Sequence, residues 1–465
     1  MAATWGRKYD VVVWGATGFT GNLVCEYLAK HYSTQGSPEV KRWAVGGRSK
    51  TKLEGVVSAL GLFFPVDVLV ADSSNENALT AMAAQTTVVI STVGPYAQHG
   101  APLVAACVAA GTHYVDLTGE PPFVRSMIDL HHDTAKAKGV KIVHCCGFDS
   151  IPSDLGTLVA VDALKKRGLA CRSVHNYFGE SKGGASGGTL ASVLGLFALP
   201  LRELAKLKDP FYLNPSAPGG GKLGPTPPGC GDRVFVRFDA DSAPGGGWTM
   251  PFVMAAPNTR VVRRSAALFA QHGGTSGGYG PRFAYHESMA CPKGLAGILA
   301  GVALSLGTPL FAALCLFPPT RFLLRLLIER CGLAPGQGPS RELQRTGFFK
   351  ARLVATAEAA AGDPAATVVV ELAGYQDPGY AETAKMLAES ALTLVDQADA
   401  ISGKGGKATG EAGDEGVEGC SYGGGGVLTP AVALGMPLVR RLRAKGMTFR
   451  ADSADSEPVG KTKAT

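Results

Sequence analysis

The chain has 465 residues, 46% hydrophobic and 18% charged, with 62 glycines and a net charge of +7. That length exceeds one ordinary core and implies two or three domains, and a charged share below the ~25% usual for soluble proteins hints that part of the surface meets something other than water. The positive charge is spread thinly, with no basic stripe interleaved with aromatics, which excludes nucleic acid as the expected partner. Ten cysteines without Cys-x-x-Cys or zinc-ligand spacing read as reduced thiols, and no metal constellation is present.

Tyr9–Trp14 reads as a first strand, so close to Met1 that a cleaved signal peptide has no room. It runs into Gly15-Ala16-Thr17-Gly18-Phe19-Thr20-Gly21 and then an amphipathic helix, Asn22 to about His31. Strand, glycine turn and helix in that order suit a dinucleotide. The glycines admit the backbone close to a pyrophosphate, and the helix start offers N–H groups and a positive dipole end. All seven turn residues are candidate cofactor ligands. The second strand, Trp43–Arg48, continues into Ser49 where an NAD enzyme would place an acid for the ribose 2′-hydroxyl. A guanidinium suits a 2′-phosphate, so Arg48 and Ser49 favour NADP(H), with NAD(H) the alternative.

A helix over Lys52–Leu60 leads to a strand at Val66–Ala71 that ends in Asp72, a candidate neighbour of the adenine. After a helix at Asn77–Ala84, the strand Thr87–Thr92 delivers Val93-Gly94-Pro95-Tyr96 to the carboxyl edge of the sheet, beside the pyrophosphate or nicotinamide ribose. A helix (Gly100–Ala110), a strand (His113–Leu117), a helix (Phe123–Lys138) and a strand (Val140–Cys145) follow, closed by Gly147–Asp154. There Ser150 and Ser153 are helix-cap candidates, and Asp149 is equally a site carboxylate or a turn residue. The alternation predicts an α/β fold with a parallel, doubly wound sheet over residues 1–155.

The second domain is read over 156–376. A strand (Arg172–Phe178) and a helix (Thr189–Leu199) flank Gly184-Ala185-Ser186-Gly187-Gly188, which fits Gly-x-Ser-x-Gly. The opening strands are committed to a nucleotide and no Asp or His stands out as a partner. The segment therefore reads as a cleft loop with Thr189 as a candidate donor, not as a nucleophile elbow. No tyrosine has lysine four residues on, which excludes the Tyr/Lys proton relay of short-chain dehydrogenases. Residues 207–250 read as Pro/Gly-rich loops around a strand at Val234–Asp239. From Gly294 to Thr320 no residue is charged, longer than the ~20 apolar residues that cross a bilayer. Pro309 sits mid-run, Pro318-Pro319 end it, and Arg321, Arg325 and Glu329 then oppose Leu323, Leu324, Leu327 and Ile328. The segment 294–331 reads as a hairpin or shallow interfacial insertion, with a buried helix pair and a single span as alternatives. Strands at Gly347–Ala357 and Ala366–Gly374 should pair around Gly362-Asp363-Pro364. A helix at Gly379–Gln397 opens the C-terminal segment 377–450, which holds a mobile glycine-rich insertion at 402–426, and 451–465 reads as a disordered tail.

GATGFTG (15–21), GGRS (46–49), STVGPY (91–96), DLTGE (116–120) and GFDSIPSDLG (147–156) together resemble the saccharopine dehydrogenase-like oxidoreductase family. That family includes the bacterial trans-acting enoyl reductases of lipid and polyketide assembly. Ser186–Thr189 with Ser192, Gly338-Pro339-Ser340 through Phe349, Asp377–Tyr380 with Thr383, and Gly425–Pro430 extend the resemblance over about 9–450. It implies a Rossmann-type domain, a second mixed α+β domain, a nicotinamide cofactor and a C-terminal helix packed on the nucleotide domain. The first turn departs from the G-x-G type of saccharopine-forming enzymes, which argues against saccharopine as substrate. The expected activity is NADP(H)-dependent reduction of a lipid-like enoyl or carbonyl compound at the cytoplasmic face of a membrane or lipid droplet. Tyr96 or Asp149 would supply the proton, and N–H groups near Gly187-Gly188 with Thr189 would face the charge on oxygen. A homodimer stays open. The rival reading is a catalytically silent nucleotide-binding scaffold on a lipid surface.

Overall fold

A computed structural model describes residues 6–33, 41–62, 64–184, 187–217, 220–272, 278–330, 338–359, 365–401 and 424–452. Its first six strands are β1 (Tyr9–Trp14), β2 (Trp43–Gly47), β3 (Asp67–Val70), β4 (Thr86–Ser91), β5 (His113–Asp116) and β6 (Lys141–Val143). Then come β7 (Cys171–Lys182), β8 (Arg237–Asp239), β9 (Gly247–Met250), β10 (Ala284–Ala290), β11 (Phe348–Ala357) and β12 (Thr367–Gly374). The last two are β13 (Gly426–Leu428) and β14 (Thr448–Ala451).

The first sheet runs β13-β6-β5-β4-β1-β2-β3, and every pair in it is parallel. Val11, Val12, Val13, Val88, Val89 and Ile90 are all fully buried, because helices cover both faces. From β1 the chain steps outward to β3, then crosses back to β4 and builds the other way. The crevice between β1 and β4 is thus the switch point, where such sheets bind ligands. β13 was not foreseen as a strand; it extends the sheet by pairing Val427 with Ile142.

The second sheet, β14-β12-β11-β7-β10-β9-β8, is mixed. β10 is parallel to β7, whereas β11 is antiparallel to both β7 and β12, so the expected hairpin forms. Its turn residues Gly362-Asp363-Pro364 lie outside the described residues, as do residues 402–423 and 453–465, whereas Ala451, expected in a disordered tail, ends β14 and pairs with Val370. The helix Ile151–Lys166 lies against this sheet with 13 of its 16 residues buried, which leaves it no solvated face. The helix Thr383–Ile401 returns to the first sheet. There Tyr27 and Tyr32 each donate to Glu389 Oε1 at 2.6 Å and Arg441 Nε donates to Oε2 at 2.8 Å.

The uncharged run is helical over most of its length. Pro309 does not break it: one helix, Leu295–Leu316, passes through the proline, and a second, Pro318–Arg330, packs beside it. The pair is no buried core either. Only Gly297, Gly301, Ser305 and Cys315 of the first helix are buried. Gly301 needs its missing side chain, since a β-carbon there would lie 2.9 Å from Val236 and 3.3 Å from Met250. Ser305 Oγ accepts the Val236 N–H at 3.1 Å. The large residues point the other way: Leu306 and Leu310 are each 62% exposed, and Phe322, Leu323 and Leu327 are also exposed. Arg321 was expected on an outward polar face. It turns inward instead and donates to the carbonyls of Phe197 at 2.7 Å and Cys315 at 3.3 Å.

Candidate active site

The turn after β1 is built around absent side chains. Gly15 has φ +89°, and a β-carbon on it would lie 2.6 Å from Val93 Cγ2 and 2.8 Å from Thr92 Oγ1. Gly15 N donates to Gly46 O and Gly18 N to Gly15 O, both at 2.9 Å, and the Thr92 hydroxyl is shared between the Trp14 and Gly15 carbonyls at 3.1 Å. A β-carbon on Gly21 would strike the Gly15 carbonyl oxygen. Gly18 stands at the N-cap of the helix Phe19–Tyr32 with no side-chain cap, so the first-turn N–H groups are left for a ligand. Ala16 is buried, Thr17 exposed and Thr20 half-buried. The Phe19 ring packs edge-on against Tyr380, 5.2 Å between centroids, and beside Gly338. Its side chain therefore serves packing and leaves only its backbone for a cofactor.

Arg48 is exposed at the end of β2. Ser49 caps the next helix through Lys52 N at 3.5 Å. Asp72, exposed after β3, accepts from Ser74 N at 2.8 Å and Ser74 Oγ at 2.6 Å. Those bonds, then the Arg48 charge, hold its carboxyl below the ordinary value. A glycine cradle that any β-carbon would fill, an uncapped helix start and an exposed guanidinium fit the pyrophosphate and 2′-phosphate of NADP(H).

After β4, Val93 and Pro95 are half-buried, Gly94 is exposed, and the Gly94–Pro95 peptide is cis. Tyr96 does not match its expected role as proton donor. It is 5% exposed, its hydroxyl donates to Ser91 O at 2.9 Å, and burial pushes the phenol well above its ordinary value. The proton it holds faces a strand end rather than the cleft. The backbone of Tyr96 is bound by Glu120, which sequence reasoning passed over within DLTGE. Glu120 Oε1 accepts Tyr96 N at 3.0 Å and Oε2 accepts Ala97 N at 2.9 Å, while Ser192 Oγ donates to Oε1 at 3.0 Å.

Asp149 stands half-buried beyond β6, beside Gly119 and Gly147. Its Oδ1 and Oδ2 lie 3.2 and 2.9 Å from where β-carbons on those glycines would be, with Met254 of the second domain close to Gly119. Burial, with a smaller push from Asp116, raises its carboxyl from 3.8 to about 7, against its own backbone N–H. A carboxylic acid that keeps its proton near neutrality is suited to give it up in a reaction. Below it lies a second group missed in the sequence. His144 Nδ1 is 2.7 Å from Asp116 Oδ2, which also accepts the Tyr114 hydroxyl at 3.0 Å. Nothing marked His144, which reads simply as part of a strand.

The helix Gly187–Leu196 follows the Gly-x-Ser-x-Gly segment. Residues 185–186 and the Thr189 side chain lie outside the described residues. Asp377 fastens the approach to that loop, accepting Gly184 N at 2.8 Å and Tyr380 N at 2.9 Å. Gly184 also meets Pro339, at 2.7 Å from where its β-carbon would be. Segments far apart in sequence, Phe19, Gly184, Pro339, Asp377 and Tyr380, thus share one corner.

A switch-point glycine turn, an arginine at the end of β2 and a carboxylic acid at the same sheet edge define an NAD(P)-dependent oxidoreductase of Rossmann type. Residues 11–143 match the family described as saccharopine dehydrogenase NADP binding domain, and the cofactor is NADP(H). Over 456 residues the chain is 38% identical to a Mycobacterium tuberculosis protein carrying the name trans-acting enoyl reductase, covering 97% of this chain and 99% of that one. It is 35% identical over 462 residues to the trans-acting enoyl reductase of Mycobacterium leprae, covering 95% and 97%. A solved saccharopine dehydrogenase (L-Glu forming) from Saccharomyces cerevisiae is 14% identical with a TM-score of 0.48, covering 96% of this chain and 99% of that one. The chain belongs to the saccharopine dehydrogenase-like oxidoreductases, the family of the trans-acting enoyl reductases.

Proposed function

We propose that this oxidoreductase reduces a lipid-like enoyl or carbonyl substrate at the surface of a membrane or lipid droplet. The observation that carries the reading is the exposed apolar face of the helices Leu295–Leu316 and Pro318–Arg330. Apolar patches on soluble monomers rarely exceed a few hundred Å², and each large side chain moved from water into lipid contributes about 1.5–3 kcal/mol. A stripe of small residues ties the first helix to β9 and the loop at Val236, which favours lying in the interface over spanning it. Charge agrees, since Lys293, Arg325 and Arg330 flank the run.

The apolar pair also adjoins the cleft. The helix Pro318–Arg330 packs on Gly187–Leu196, whose Ser192 bonds to Glu120 beside the cofactor loop. Held by the Gly15–Gly21 turn and Arg48, NADPH would supply a hydride to an electrophilic carbon. Asp149 is the proposed proton donor to the substrate atom that gains electron density, in place of Tyr96. The Thr189 hydroxyl is proposed to face the substrate oxygen. The names of the relatives make an enoyl thioester the first substrate to try. In the test, NADPH oxidation is followed with trans-2-dodecenoyl-CoA, with and without vesicles of phosphatidylcholine and phosphatidylglycerol, and flotation is scored in parallel. Turnover stimulated by vesicles is expected. Flotation and NADPH binding without turnover of enoyl or carbonyl lipids would return the scaffold reading, and turnover without flotation would remove the membrane from it.

A further inference from the structure

Glu120 follows β5 and directly precedes the helix Pro121–Lys138. A carboxylate in that place would ordinarily accept from its own helix. This one makes no such bond. It is 7% exposed and reaches across to the β4 loop, with three neutral donors: Tyr96 N, Ala97 N and the Ser192 hydroxyl. Among the described residues its donors are all neutral, and a buried carboxyl group so held is a costly way to fill a corner that an apolar side chain would fill more cheaply.

What it joins gives the arrangement a purpose. Tyr96 directly follows Val93-Gly94-Pro95, and the Val93 methyl lies against Gly15 of the dinucleotide turn. Ser192 Oγ is 3.8 Å from where a β-carbon on Gly94 would sit. One carboxyl group therefore fixes both the loop bordering the cofactor turn and the helix Gly187–Leu196, which comes from the other half of the chain.

We propose that Glu120 is a positioning residue that sets the separation between the Val93–Pro95 loop and the helix Gly187–Leu196. Through Ser192, occupancy of the dinucleotide turn is felt at that helix. Ser192→Ala cuts only the bond between the halves. Glu120→Gln also turns an amide N–H₂ against Tyr96 N or Ala97 N, so it strains the cofactor loop itself. The inference rests on the NADP(H) site alone and not on the lipid reading.

The experiment measures hydrogen exchange over 187–197 in the full chain, with and without NADPH, beside NADPH fluorescence titrations and thermal melts. In wild type, NADPH slows exchange of the helix by about fivefold or more, the size of about one hydrogen bond's net contribution. Ser192→Ala keeps NADPH affinity within about threefold and the melting midpoint unchanged, yet loses that protection. Ser192→Thr restores it. Glu120→Gln loses the protection and weakens NADPH by about tenfold. With a turned-over enoyl thioester, Ser192→Ala lowers kcat and leaves the KM for NADPH in place. Protection that persists in Ser192→Ala, or is missing from wild type, overturns the proposal. Neither result depends on which substrate the enzyme takes.

Discussion

Replacing Gly21 by alanine puts a methyl group into the backbone of the glycine turn. The new carbon strikes the Gly15 carbonyl oxygen and lies 2.8 Å from its carbon and 2.7 Å from Thr92 Oγ1. None of these is the far end of a flexible side chain, so the turn itself must shift. Overpacking of this kind costs about 1–3 kcal/mol. The struck oxygen also accepts from Gly18 N and Thr92 Oγ1, and losing one such bond adds about 1 kcal/mol. A turn relaxed to relieve the clash must be restored when the dinucleotide binds, so about 2–4 kcal/mol appears as a Kd for NADPH raised roughly 30- to 1000-fold. Gly55→Ala is the matched control. Gly55 is exposed in the helix Lys50–Ala59, and no neighbouring group lies within 4 Å of its β-carbon position. That change should stabilise the protein by about 0.5–1 kcal/mol and leave NADPH binding alone. Fluorescence titration and thermal melts read both. A folded Gly21→Ala protein that binds NADPH within threefold of wild type would refute the reasoning.

Asp149→Asn separates stability from chemistry by pH. Burial penalises the charged form and raises this carboxyl from 3.8 to about 7, so the penalty on folding is absent below pH ~4, grows up to pH ~7 and is then constant. The asparagine variant should therefore gain stability over wild type across that window, by at most about 4 kcal/mol, in denaturant titrations at several pH values. Its reductase activity should be low and lack the limb that falls in wild type as pH rises through about 7. Arg441→Met leaves Glu389 fully buried with two tyrosine hydroxyls and no cation from the C-terminal segment. A loss of about 3–5 kcal/mol in urea unfolding is expected, partly recovered by adding Glu389→Gln. Leu306→Glu with Leu310→Glu should leave unfolding within about 0.5 kcal/mol of wild type, because both sites face outward, yet abolish flotation with vesicles.

Strands β1 to β6 of the nucleotide half were legible because buried parallel strands read as short apolar runs rich in valine and isoleucine. The helix Ala255–His272 was not, and its arginines explain why. Arg260, Arg263 and Arg264 are all buried, and they donate to the carbonyls of Leu207, Pro210, Tyr285, Leu213 and Val427. Guanidinium groups on the inner face make a buried face read as a solvated one. Glu287 hides β10 in the same way: it is buried and accepts from Ser153 and Asn258, and burial raises its carboxyl to about 8. At the site, the glycine turn was readable because its requirement is local. Tyr96 was misjudged because the direction of a phenol is set by packing in three dimensions. Glu120 and His144 were passed over because their partners lie at least 20 residues away in the chain.

β13 has a consequence for how the protein is made. It is the outer neighbour of β6, yet about 280 residues separate the two strands, and a ribosome adding 5–20 residues per second needs roughly 15–60 s to deliver them. Throughout that interval Lys141–Val143 presents an unpaired apolar edge, the kind of template on which other nascent chains can pair. The nucleotide half therefore cannot finish folding as it emerges, and its sheet closes only when translation is nearly complete. A premature stop between β6 and β13 would do more than shorten a tail. It would leave a sticky sheet edge and send the product to chaperones and proteases.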